Sequence, residues 1–160
     1  MSADTWAGVS AMVSLLALGT ALAAHLRQRR VEDFKLARDL HSDLTTGDVA
    51  RAREDLGTLV YDGNRIPDDD LPSVRNSYFR LLWCFERIYA GRRTIAEGRL
   101  LFGNRPLKFL DRLVGWQVQY WFENLDDARR ALEARLGVPV SDGKSRLALD
   151  ALNRDISGTE

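Results

Sequence analysis

The apolar positions of the chain fall into two regimes. From Thr5 to Ala24, twenty residues reading TWAGVSAMVSLLALGTALAA carry no ionisable side chain. A helix of that length, rising about 1.5 Å per residue, covers the roughly 30 Å hydrocarbon layer of a bilayer. Helices packed on a water-exposed domain seldom run so long without charge, because one face meets solvent. Leu15, Leu16, Leu18, Leu22, Val9 and Val13 each favour insertion by about 0.3 to 0.6 kcal/mol, and Ser10, Ser14, Thr20, Gly8 and Gly19 dilute that tendency. Beyond Arg30 the pattern turns amphipathic, with Val31, Phe34, Ala37, Leu40 and Leu44 three or four apart, so the first helix is expected to continue past the span.

The remaining elements read as helices. Thr45-Thr46-Gly47-Asp48 is a stop followed by a cap, and Val49, Ala52, Leu56, Leu59 and Val60 form a second helix ending near Asp62-Gly63-Asn64. The two are expected to make a helical hairpin. After a loop with two prolines, Pro72 suits the first turn of a helix that Asp70 would cap. That helix, to about Ala90, is apolar nearly all round and should be central, with Gly91 ending it. Arg80 and Glu86 exclude a second span there. Thr94 and Glu97 have capping-box spacing for a short helix through Leu101. Asn104-Arg105-Pro106 opens a long one, continuous to Leu136 or broken around Asn124, with Gly137 and Pro139 as its stop. A last helix carries Leu147, Leu149, Leu152 and Ile156. No stretch keeps strand alternation for long, so the fold class is all-α: an N-terminal transmembrane helix (1–30) continuing into a bundle of about five helices (31–156), with a frayed tail at 157–160.

The flanking charges orient the span. The first six residues hold Asp4 and no basic side chain, whereas Arg27, Arg29 and Arg30 follow the apolar segment. The positive-inside rule then predicts an uncleaved anchor with its N-terminus outside and the bundle in the cytoplasm. A cleaved signal peptide is the rival, because Ala21-Leu22-Ala23 offers a small-x-small site, but its basic leading region is missing. Ala7/Ala11, Ser10/Ser14 and Gly19/Ala23 keep the spacing that lets two spans pack closely, so a homodimer is one expected partner state beside the bilayer around residues 5–26.

The stretch LLWCFERIYAGRRTI carries a resemblance. Leu82, Phe85, Glu86 and Ile88 on the central helix, followed by a basic turn and a long aromatic helix, resemble a family of small bacterial single-span membrane proteins with a cytoplasmic helical domain of unknown function. The resemblance covers roughly residues 29–136 and implies an inner-membrane anchor plus a helical domain, with no catalytic residue or ligand. Twenty arginines against three lysines fit a G+C-rich bacterial genome.

At 160 residues the chain has room for one domain, and its 23 basic and 23 acidic side chains give no overall charge to name a partner. Cys84 is the only cysteine, which excludes an intrachain disulfide and a cysteine zinc site. With two histidines, no HExxH and no phosphate-binding glycine loop, no cofactor or metal is expected and no catalytic constellation can be assembled, so the chain reads as a non-enzyme. Asp62-Gly63-Asn64 to Asp70 resembles a calcium loop only at first glance, since Pro67 replaces the turn glycine and Ser73 the final glutamate.

Charge is nevertheless uneven. Residues 39–70 carry net minus six, and residues 87–112 carry net plus five. Arg92, Arg93, Arg99 and Arg105 are candidate contacts for anionic lipid headgroups, with nucleic acid a weaker candidate, against the plainer reading of solvated arginines pairing within the domain. Glu86 would need a partner if buried, for which Arg38, Arg129 and Arg130 are candidates. Trp116, Tyr120 and Trp121 are candidate anchors for a protein partner and should then be partly exposed. The expected function is a membrane-anchored interaction or regulatory module acting through protein contacts at the cytoplasmic face, and the alternative is a binder of anionic lipid or nucleic acid.

Overall fold

A computed structural model describes the backbone of residues 3–98 and 104–158, and the side chains of residues 12–63, 65–98 and 104–158. It is all-helical, with no strand among the described residues. The helices are α1 (Ala3–Thr45), α2 (Gly47–Asp62), α3 (Leu71–Glu97), α4 (Arg105–Leu136) and α5 (Gly143–Ser157). Two single turns of 3₁₀ helix, Gly63–Arg65 and Asp68–Asp70, join α2 to α3.

The first helix does run on from the apolar segment into the domain without a break. It stops where the Thr45 and Thr46 hydroxyls donate back to the carbonyls of His41 and Ser42, at 2.8 and 2.7 Å. Gly47 then adopts φ +61°, a left-handed conformation that glycine takes without steric cost.

The helical hairpin expected at this point does not form. Asp43 of α1 pairs with Arg87, Asp48 at the start of α2 faces Arg80 at 3.9 Å, and Asp55 accepts from Ser77 at 2.7 Å. Later positions on α1 and then α2 thus meet steadily earlier positions on α3. The two helices are successive pieces of one rod antiparallel to α3, because a one-residue joint bends the chain but supplies no loop to reverse it. Their apolar stripes, Ala37-Leu40-Leu44 and Ala52-Leu56-Leu59, are buried in the same core.

The other rods alternate in direction. Arg92 near the end of α3 pairs with Asp111 near the start of α4, so these two are antiparallel. Asp142, just before α5, meets Tyr78 and Arg129, whereas Asp155 near its end meets Arg92, so α5 runs back along α4. The result is an up-down-up-down bundle of four rods with the first rod broken at Gly47. Helices α3 and α4 each touch all the others. Tyr78, Leu81, Leu82, Phe85 and Ile88 of α3 are fully buried against Leu110, Leu125 and Leu132 of α4 and Leu149 and Leu152 of α5. The expectation of an α3 buried on every side is corrected by Trp83, which is exposed beside the half-buried Phe79.

Gly91 does not end α3, which continues to Glu97, and Thr94 donates to Ala90 inside the same helix instead of capping a new one. The glycine is there for packing. A Cβ at this position would lie 2.5 Å from Leu40 Cδ1 on α1. Gly91→Ala therefore sets a helix-propensity gain of about 1 kcal/mol against overpacking of about 1 to 3 kcal/mol. We expect a net loss of stability that Leu40→Val in the same chain relieves, measured by urea unfolding. A stabilised single variant would show that Leu40 moves aside freely.

Asp70 makes no side-chain cap, because Asp68–Asp70 wind directly into α3, although Pro72 does occupy the first turn. The acidic loop is held from α4: Arg135 donates to the carbonyls of Gly63 and Ile66, both at 2.7 Å, and pairs with Asp68. Among the described residues no three His, Cys, Asp or Glu side chains converge as a metal site. Helix α4 is a single element through Asn124, and Gly137, at φ +68°, ends it with its N–H on the Glu133 carbonyl. Residues 99–103, with Arg99 and the expected helix end at Leu101, lie outside the described residues.

Among the described residues no helix is long and apolar enough to cross a membrane. The side chains of residues 5–11, which open the charge-free segment, are not among those described. The remainder, Met12 to Ala24, is about 20 Å of helix, short of the roughly 30 Å layer. Met12, Val13, Leu15, Leu16, Leu18 and Leu22 are all exposed, at 56–69%.

Candidate functional site: an aromatic groove between α2 and α4

Helix α2 crosses α4 near Tyr120, leaving a groove of about 440 Å³. Ala50, Arg53 and Glu54 form its α2 wall, and Trp116, Gln117, Tyr120 and Trp121 form its α4 wall. The α4 wall follows from helix geometry. Residues 110, 114, 118, 121 and 125 form the buried stripe, and 116 and 120, one turn apart, fall on its solvent margin.

The three aromatic residues proposed from sequence come together here in unequal environments. Trp116 is 67% exposed, Tyr120 half-buried and Trp121 only 3% exposed. The Trp116 and Tyr120 rings stack at 5.6 Å, and Trp121 sets its edge to Tyr120 at 5.2 Å. The Tyr120 hydroxyl shares a 3.1 Å hydrogen bond with the Tyr61 hydroxyl on α2. That bond, with burial adding to it, raises the Tyr120 pKa.

Beneath the groove, three polar atoms of its lining residues are incompletely paired. The Trp121 indole N–H, the Arg53 Nε–H and the Gln117 side-chain carbonyl are buried, and none has a hydrogen-bond partner. Such groups are rare in native structures, and each costs about 1 to 3 kcal/mol when left unpaired. Arg53 is held by a hydrogen bond from Nη1 to the Leu44 carbonyl at 3.3 Å, and burial lowers its pKa. The Trp116 and Tyr120 rings can take an apolar side chain laid on them, whereas the three unpaired atoms are shut off from solvent and from anything seated in the groove. Arg53 and Gln117 were absent from the sequence candidates. Gln117 left a signal, since it is a polar residue between Val114 and Trp121 on the stripe that enters the core.

The basic candidates divide. Arg92 is buried, with Nε 2.9 Å from Asp111 and Nη1 2.8 Å from Asp155, so it ties α3, α4 and α5 together and is nearly closed to solvent. Arg93 and Arg105 are exposed. Glu86 is half-buried and in no ion pair among the described residues; Arg129 turns to Asp142 and Asp126, and Arg130 to Asp127. Burial pushes the Cys84 thiol up to about 11, which keeps it protonated in the core.

No family model, curated protein or solved structure matches this chain. The groove is therefore interpreted on its own chemistry.

Proposed function

We propose that this chain is a single-span membrane protein whose bundle presents the α2–α4 groove to an extended segment of a partner protein on the cytoplasmic side. The observation that carries the protein-binding reading is the groove itself, with the exposed Trp116 ring stacked on the half-buried Tyr120 along its α4 wall. Aromatic-walled grooves are a recurring way to hold extended peptide, and Trp116 stacked on Tyr120 offers such a wall. The anchor is supported by the charge-free stretch Thr5–Ala24, the arginines that follow it, and the exposed leucines of α1. The Leu82–Ile88 resemblance to bacterial one-span proteins belongs to the same reading.

A photocrosslinker placed at Glu54, in the groove, tests this in carbonate-washed membranes. One partner band of defined mass is expected, reduced about tenfold by Trp116→Ala, as befits an aromatic hot spot of 1.4 kcal/mol or more. The same crosslinker at the exposed Arg75 of α3 should give no such band. Equal patterns at both sites, or a band indifferent to Trp116, would remove the groove from the function.

A further inference from the structure

We infer that the end of the bundle from which the apolar helix emerges is a docking face for anionic lipid headgroups, held against the bilayer by Arg105 and Lys108 together with the juxtamembrane arginines. The inference rests on the anchor proposed above. Its own support is a matter of level along the rods. The Phe34 ring on α1 meets the Phe109 ring on α4 at 5.4 Å, so these residues stand at one height. Phe34 lies ten residues beyond Ala24, about 15 Å along the helix. Arg105, one turn before Phe109, is then about 9 Å from the end of the apolar segment, level with Arg30. Headgroups occupy about 5 to 7 Å outside the hydrocarbon. That leaves the start of α4 within about one Debye length, 8 to 10 Å, of lipid phosphate.

Most of the cations at that end are in no close ion pair among the described residues, although Arg29 acts on Asp33 across one turn of α1. Arg93, Arg105, Lys108 and Arg112 are exposed, and none of them, nor Arg27, Arg29 or Arg30, is in an ion pair among the described residues. Two of the carboxylates described at that end, Asp111 and Asp155, pair with the buried Arg92, and Arg29 acts on Asp33, so that among the described residues Glu32 and Glu97 are the other carboxylates there. The acidic turns of the domain are at the opposite end, where Asp68 pairs with Arg135 near the close of α4. A bilayer is favoured over nucleic acid because the cations ring the point where the anchor leaves the bundle.

The three lysines make the native chain its own reporter. Lys108 is on the proposed face, Lys144 opens α5 at the far end, and Lys35 is on the anchor helix. An amine must lose its proton to be acylated, and a negative surface opposes that. In nanodiscs rich in phosphatidylglycerol, Lys108 acylation is expected to be about three- to fivefold slower than in phosphatidylcholine discs, with Lys144 unchanged. One molar salt should remove the difference, since screening then acts within about 3 Å. Arg105→Glu with Arg30→Glu should remove it too. Equal Lys108 rates in the two discs, with the chain still embedded, overturn the docking face and leave the anchor standing. Elution of the chain apart from the discs overturns both. Slowing of Lys108 by a short DNA duplex, without lipid dependence, would assign the face to nucleic acid instead.

Discussion

Arg92→Met is expected to lower the unfolding free energy of the bundle by about 3 to 5 kcal/mol, the usual loss when one partner of a buried ion pair is removed. Arg92 has 8% of its side chain exposed and Asp111 has 11%, so the substitution strands a carboxylate where water reaches it poorly. It also removes the 3.3 Å hydrogen bond from Nη2 to the Asp155 carbonyl near the end of α5. Asp155 is 43% exposed and can hydrate, so most of the loss belongs to Asp111. Adding Asp111→Leu to Arg92→Met should recover most of the stability, because an apolar pair of similar volume commonly equals a buried ion pair. Urea unfolding of the full chain in detergent, followed by tryptophan fluorescence, measures both. A single variant within 1 kcal/mol of the native chain would mean that packing alone holds the three helices.

The second large effect separates two neighbours in the stretch that carried the resemblance. Phe85 is fully buried at the centre of α3, and Phe85→Ala should cost about 3 to 5 kcal/mol from lost burial and the cavity left behind. Glu86 is half-buried and in no ion pair among the described residues, so Glu86→Gln should fall within about 0.5 kcal/mol of the native chain. The same unfolding measurement ranks them. The opposite order would show that the motif is kept for its carboxylate and not for its packing.

Helix content was legible in the chain because the stripes obey one period. The α2 boundaries, the Asn104–Pro106 start and the Gly137 stop all rest on local backbone chemistry that a short window contains. Gly91 was misleading for the opposite reason: a glycine that ends a helix and one that admits a neighbour look alike until Leu40 is in view, fifty-one residues away. Sequence separation, 19 and 63 residues, likewise hid the pairing of Arg92 with Asp111 and Asp155, which turned a candidate surface cation into an internal tie. Of the groove, the aromatic wall could be read from i, i+4 spacing, and its α2 wall could not, because nothing local says which helix crosses at Tyr120.

With the anchor proposed above, the unbroken course of α1 from the apolar segment into the bundle would govern how far the groove could reach. A chain hung from a bilayer on a loose leash searches a hemisphere and meets partners at any depth. On the proposed anchor a strut would replace the leash. Counting from Ala24 through the Phe34–Phe109 level to Trp116, the groove would be held about 25 Å above the hydrocarbon surface and could swivel about the strut but neither rise nor sink. A partner would then be selected by altitude as well as by sequence, and segments lying flat on the membrane, or far out on an extended domain, would pass the groove without meeting it.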